Sequence, residues 1–351
     1  MTKSLGKIVY PALFWVPVFL LSCSSDDPDA ARDLYVFEQP ANFPNPTYTF
    51  DNNPVTREGF ELGRKLFFDP ILSRDNSVSC NNCHQQALAF ADSPLHPTSI
   101  GIDNRMGHRN APALANMAFL PEFFWDGGVT HLDFVPINAI ESEVEMDDDL
   151  TNVVNKLNDH DEYPALFQKA FDIDEVTSPY MLYALSQFTN MMVSANSAYD
   201  KYSRGEGVQL SDLELEGLSL FEENCSSCHS GELFTDFSYR NNGLNRTFID
   251  LGRGRITESE ADYGKFRVPS LRNVELTAPY MHNARFNTLE EVMDHYDQGM
   301  VASPTLDPLF QNNQAVVGIP LTSAEKISII AFLKTLTDRE FTANPIFRNH
   351  D

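Results

Sequence analysis

The sequence predicts an all-α fold made of two similar halves, and three observations lead there. Apolar residues recur at helical spacing in Glu61-Leu62-Gly63-Arg64-Lys65-Leu66-Phe67-Phe68 and again in Glu216-Gly217-Leu218-Ser219-Leu220-Phe221. Each stretch leads through a short loop into the same motif, Cys80-Asn81-Asn82-Cys83-His84 and Cys225-Ser226-Ser227-Cys228-His229. Alternating strand patterns are scarce. The repeated order of helix, loop and motif indicates an old duplication. A length of 351 residues accommodates two domains, each of about 100–200 residues.

The chain opens differently. Lys3 and Lys7 precede an apolar run from Ile8 to Leu21 that closes on Leu20-Leu21-Ser22-Cys23. A basic start, an apolar stretch and a small residue before the break describe a secretory signal. Pro11 and Pro17 interrupt the run, which is too short to span a membrane comfortably. The ending resembles the lipobox of bacterial lipoproteins, which implies cleavage before Cys23 and a lipid on its thiol. Residues 1–22 are thus expected to leave, and 23–45 to act as a solvated tether. The predicted location is the cell envelope, on the periplasmic side or the surface, anchored to a membrane, with the outer membrane favoured. Losing residues 1–22 removes two lysines and no acid, moving the formal charge from -25 to -27. Phosphate backbones would repel such a chain, which argues against nucleic acid. A basic redox partner would be attracted by it.

Further along, residues 178–202 read as one helix. Ser203-Arg204-Gly205-Glu206-Gly207 marks the expected boundary, because two close glycines end a helix. A first domain is therefore expected at 46–204 and a second at 205–351. Thr288 opens a helix that runs to about Gly299. Thr322-Ser323-Ala324-Glu325 is a capping box, and the helix it starts is expected to pack on the one before the second motif.

Cysteine arithmetic gives the chemistry. Besides Cys23 there are four cysteines, in two Cys-x-x-Cys-His motifs with none left over. Thiols at this spacing attach to the two vinyl groups of one porphyrin, and the adjacent imidazole serves as proximal iron ligand. Zinc would need further ligands, and none follows either motif at finger-like spacing. Two c-type haems follow, on Cys80, Cys83 and His84 and on Cys225, Cys228 and His229, each wrapped by a cytochrome c-like domain.

Further motifs occur in order between and after the haem motifs: Arg109-Asn110-Ala111-Pro112, Phe124-Trp125-Asp126-Gly127, Glu145-Met146, Val268-Pro269-Ser270-Leu271-Arg272-Asn273-Val274 and Thr277-Ala278-Pro279-Tyr280-Met281-His282. With them the chain resembles the bacterial di-haem cytochrome c peroxidases and their MauG-like relatives, from about Glu61 to Leu336. The resemblance implies that Glu145 is the distal group that moves a proton during peroxide cleavage, although acidic neighbours such as Glu143 and Asp147 also suit a solvated run. It implies that Trp125, otherwise an ordinary core aromatic, relays electrons between the haems. Tyr296 falls where the relatives place the second haem's other iron ligand, with Met293, His295 and Met300 as rivals. A phenolate there is a hard anionic donor that favours oxidised iron. Asn110, Thr277 and Pro279 match a calcium site of the family. Arg109 and Arg272 either pair with haem propionates or brace loops.

Two positions depart from the pattern. Val135 stands where the family commonly has glutamine. Ile102 stands where typical peroxidases carry a histidine that caps the first iron, and neither His96 nor His108 is in register. The first haem is therefore expected to be open without reductive activation. The expected function is reduction of hydrogen peroxide to water with electrons from a small donor such as a cytochrome c or cupredoxin, entering through the second haem. Alternatives are a MauG-like oxidase of a protein or aromatic substrate and a di-haem electron carrier without catalysis. A homodimer is among the expected assemblies.

Overall fold

In a computed structural model of the chain, residues 1–2, 36–311 and 317–350 are described. Cys23 and nearly all of the expected signal segment lie outside them. The helices are α1 (Arg57–Phe68), α2 (Cys80–Cys83), α3 (Val135–Glu141), α4 (Leu150–Asn158), α5 (Tyr163–Phe171) and α6 (Ser178–Asn190). They continue with α7 (Ala198–Ser203), α8 (Asp212–Asn224), α9 (Arg253–Thr257), α10 (Leu289–Asp294), α11 (Ser323–Lys334) and α12 (Arg339–Ala343). Among the described residues the sheet is confined to β1 (Tyr239–Arg240) and β2 (Phe266–Arg267), antiparallel with Tyr239 opposite Arg267. The architecture is mostly helical, as the scarcity of alternation predicts. No described helix is long and apolar enough to cross a membrane.

The helices start where side chains satisfy their first N–H groups. Thr56 accepts from the Gly59 N–H at the head of α1. Capping boxes open α8 (Ser211, Glu214), α10 (Thr288, Glu291) and α11 (Thr322, Glu325). Each such cap contributes about 1 kcal/mol.

Duplication is written into the packing. α1 lies on α6, and α8 lies on α11, the second contact as expected from the sequence. Both contacts pass through a glycine. A β-carbon at Gly63 would collide with the Ala184 carbonyl and reach Phe188 Cβ at 3.0 Å; one at Gly217 would collide with the Ser328 carbonyl and reach Phe332 Cβ at 2.9 Å. Only glycine admits such close backbones. Beside each contact three phenylalanines meet. Phe67 lies 5.2 Å from Phe188 and 6.0 Å from Phe90. Phe221 lies 5.1 Å from Phe332 and 5.8 Å from Phe234. Each fully buried ring contributes about 1.5–3 kcal/mol.

Three expectations need correction. The tether expected through residue 45 is packed from Phe37 onward: Phe37 and Phe43 lie 5.8 and 5.2 Å from Phe119. Large aromatic rings there gain more by burial than by hydration. The single helix expected over 178–202 is two, α6 and α7. Asn116 bonds both the N–H and the carbonyl of Ser194, and Ser197 opens α7 with its own capping box on Asp200. These side-chain bonds replace the helical ladder across the break. Finally, a boundary at 204/205 assigns the whole C-terminus to the second half, yet Phe341 and Phe347 pack around Phe90 in the first core, at 5.6 and 6.1 Å.

Candidate functional site

The two Cys-x-x-Cys-His motifs adopt matching local structure. His84 N–H bonds the Cys80 carbonyl at 2.9 Å, and His229 N–H bonds the Cys225 carbonyl at 3.0 Å. The side chains repeat the correspondence. His84 Nδ1 faces the Phe90 carbonyl at 2.9 Å, and His229 Nδ1 faces the Phe234 carbonyl at 3.1 Å. A carbonyl can only accept, so Nδ1 carries the proton and Nε2 keeps its lone pair. Burial lowers both imidazole pKa values and keeps the rings neutral. A neutral ring with a fixed tautomer is what an iron ligand requires. None of the four thiols is in a disulfide. Burial pushes Cys80 and Cys225 up to about 12 and Cys83 up to about 11, so they are not exposed thiolates of the redox-sensing kind.

Glu145 approaches the first motif closely enough for its charge to act on both Cys80 and Cys83. Burial raises its own pKa, while a hydrogen bond from Ser142 opposes the rise. Its backbone is held from two sides: Ile102 N–H donates to the Glu145 carbonyl at 2.8 Å, and Arg74 N–H donates to Met146 at 2.9 Å. Ile102 is 0% exposed. His108 is exposed. His96 is half-buried, with Nδ1 2.9 Å from the Thr98 carbonyl.

Around the second motif the chain encloses a cavity of about 600 Å³. Cys225, Cys228, His229, Trp125 and Tyr296 all line it. Tyr296 enters from a π-helical turn, His295–Gly299, that continues α10; such turns recur at functional sites. Burial pushes the phenol up to about 12, and Asn242 opposes this by hydrogen bonding to it. Of the rival ligands, His295 has Nε2 3.0 Å from the Asn242 carbonyl, and Met300 packs with Leu306 and Phe310. Met293 lines the cavity beside Tyr296.

Trp125 Nε1 donates to the Asn110 carbonyl at 2.8 Å. Asn110 in turn bonds the C-terminal half through Pro279 O (2.5 Å), Met281 O (3.3 Å) and His282 O (2.8 Å). Asn110, Thr277 and Pro279 all line the cavity. Both arginines singled out from the sequence are engaged by carboxylates. Arg109 bonds Asp250 at 2.6 and 2.8 Å and Asp126 at 2.7 Å; Arg272 bonds Asp200 at 2.9 and 2.7 Å.

Two further residues at this cavity have no role assigned from the sequence. His282 stacks on Phe266 with ring centroids 3.5 Å apart, and burial lowers its pKa to about 4. Arg267, just before the Val268–Val274 run, is buried and lines the cavity. A lone arginine in sequence reads as surface, so only the fold reveals it.

The donor set fits a covalently held haem at each motif. At the second, thiols, imidazole and phenol meet in one cavity within the range of about 300–1,000 Å³ that cofactor sites occupy.

Comparison with known proteins agrees. The family model for di-haem cytochrome c peroxidases matches residues 57–208. The methylamine utilization protein MauG of Methylorubrum extorquens is 32% identical over 305 residues, covering 86% of this chain and 83% of that protein. The cytochrome c551 peroxidase of Nitrosomonas europaea is 33% identical, with 81% of each chain covered. A crystal structure of a MauG-like protein associated with microbial copper homeostasis superposes with a TM-score of 0.79 at 32% identity, over 90% of this chain and 99% of that one. Motif, fold and kinship converge, and the chain belongs to the family of di-haem cytochrome c peroxidases and MauG proteins.

Proposed function

We propose that the protein reduces hydrogen peroxide to water at the site of Cys80, Cys83 and His84, with electrons that a small redox protein delivers through the site of Cys225, Cys228 and His229. The observation that carries this is the half-buried Glu145 carboxylate beside the first pair of thiols. A haem bound at each motif supplies the one-electron redox chemistry. The residues supply the rest. Reduction of peroxide to two waters consumes two electrons and two protons, and a positioned carboxylate takes a proton from one oxygen and delivers it to the other. Burial makes Glu145 a better base than an exposed glutamate, while Val135 leaves it without the family's amide partner. His84 and His229, held through Nδ1 by the Phe90 and Phe234 carbonyls, would each hold a haem iron through Nε2. Trp125 connects the halves through Asn110 and is the residue for electron relay.

A second reading, a MauG-like oxidase acting on a protein or aromatic substrate, is favoured by Tyr296 in the second cavity and by Ile102 in place of a capping histidine. Asn110 with Thr277 and Pro279 is proposed to take calcium, Cys23 to carry the envelope anchor, and two copies to form a homodimer.

The test is peroxide turnover with a reduced cytochrome as donor, followed by spectroscopy of the peroxide-treated protein. Rapid donor oxidation supports the peroxidase. A long-lived oxidised state with slow donor oxidation supports the oxidase. Absence of any reaction with peroxide leaves only an electron carrier.

A further inference from the structure

Three arginines reach the second cavity, and two are neutralised by protein carboxylates. Arg240 bonds Asp236 at 2.8 Å and Asp307 at 2.9 Å, and Arg272 bonds Asp200 at 2.7 Å. Arg267 is different. It is 8% exposed, yet among the described residues it has no ion-pair partner. Its guanidinium makes one hydrogen bond there, from Nε to the Phe124 carbonyl at 3.2 Å. Glu122 acts on it from a distance, but that carboxylate is held by Arg253 at 3.2 Å and by Tyr239 Oη at 2.5 Å. Glu223, which also lines the cavity, is exposed on α8 and makes no ion pair with Arg267.

An unpaired buried guanidinium costs several kcal/mol and is retained where an anion arrives to meet it. Protein supplies none here, and a cavity stands open beside it. We propose that Arg267 is the counter-cation for a propionate of the haem held by Cys225, Cys228 and His229. The inference rests on the reading that this cavity holds that haem. Arg267 also fixes the relay residue: its N–H donates to the Trp125 carbonyl at 2.8 Å, and Nε holds the preceding carbonyl. One residue therefore ties the Phe124-Trp125 backbone to the carboxylate edge of the cofactor.

The test uses the holoprotein with both haems and reads reduction potentials rather than turnover. Removing a cation beside a haem favours the oxidised, more positive iron. One charge at partly buried range changes the equilibrium by about tenfold, or about 59 mV for one electron. Arg267→Gln should lower the second haem's potential by that amount and move the first haem's far less. Arg267→Lys, which keeps the charge, should restore most of the loss. An unmoved second potential, or a larger shift at the first haem, overturns the assignment. Should Arg267→Gln not accumulate, Arg267→Met, which keeps the bulk without the charge, is read in its place: a second potential lowered by about 59 mV supports the pairing, and an unmoved one overturns it. Haem count by mass is read first. A wild-type chain without haem on Cys225 and Cys228 overturns the underlying reading as well, whereas two haems with an unmoved potential overturn only the role of Arg267.

Discussion

Replacing Arg272 with leucine removes the cation from a pair whose side chains are 1% and 0% exposed. The guanidinium donates twice to Asp200, once from Nε to the Glu232 carbonyl at 2.7 Å, and lies 4.5 Å from the centre of the Phe43 ring. Without it, among the described residues Asp200 keeps only the N–H and hydroxyl of Ser197, at 2.9 and 2.7 Å. Stranding one partner of a buried pair costs about 3–5 kcal/mol. That is a large share of the roughly 5–15 kcal/mol by which a folded domain is stable. Arg272→Leu should therefore lose at least about 3 kcal/mol in denaturant unfolding followed by circular dichroism. Adding Asp200→Leu should recover part of the loss, because the uncompensated charge goes with it. The dependence on pH has a definite sign. Burial would push the Asp200 carboxyl up, but the Arg272 hydrogen bonds and charge, helped by Ser197, hold it below the ordinary range. A carboxyl depressed in the fold contributes stability above its unfolded pKa of about 3.9, and that contribution is lost as pH falls toward the folded value. The gap between wild type and Arg272→Leu should be full near neutrality and narrow below about pH 4. If Arg272→Leu unfolds within about 1 kcal/mol of wild type but perturbs the second haem, the bracing argument is wrong and Arg272 serves a propionate.

Four further outcomes are expected. Cys80→Ala with Cys83→Ala should remove one covalent haem by mass, and Cys225→Ala with Cys228→Ala the other; two haems after either change would defeat the attachment assignment. Glu145→Gln should keep both haems and lower peroxide turnover by roughly 10²–10⁴-fold. Only the ionised carboxylate accepts a proton, and burial raises its pKa, so the wild-type rate should climb with pH through a midpoint above the ordinary glutamate range, a limb the variant lacks. Because Ile102 cannot ligate iron and Tyr296 can, electron paramagnetic resonance of the oxidised protein should show one high-spin and one low-spin haem. Tyr296→Phe should make the second high-spin and leave the first unchanged; two low-spin haems in the wild type would mean that a histidine caps the first. On the proposal that the Cys23 thiol carries the envelope anchor, Cys23→Ser should shift the protein from the membrane fraction to the soluble one.

Covalent chemistry was legible in the sequence because it depends on adjacent residues. Cys-x-x-Cys-His places two thiols and an imidazole within one turn whatever the rest of the chain does, and the paired helices before the motifs announce themselves by apolar periodicity. The capping boxes at Thr288 and Thr322 were equally local. What only tertiary structure decided depends on residues far apart. The Nδ1 bonds of His84 and His229 go to phenylalanine carbonyls in loops whose course is set by packing. The break between α6 and α7 comes from Asn116, some eighty residues away, bonding Ser194. Phe341 and Phe347 join the first core because Phe90 needs neighbours there. The arginines show the limit most clearly. In sequence Arg109, Arg267 and Arg272 are three cations near three motifs. In the fold two of them face carboxylates from distant segments and the third pairs with none among the described residues, because whether a buried charge is compensated depends on which distant residues the chain brings to its side.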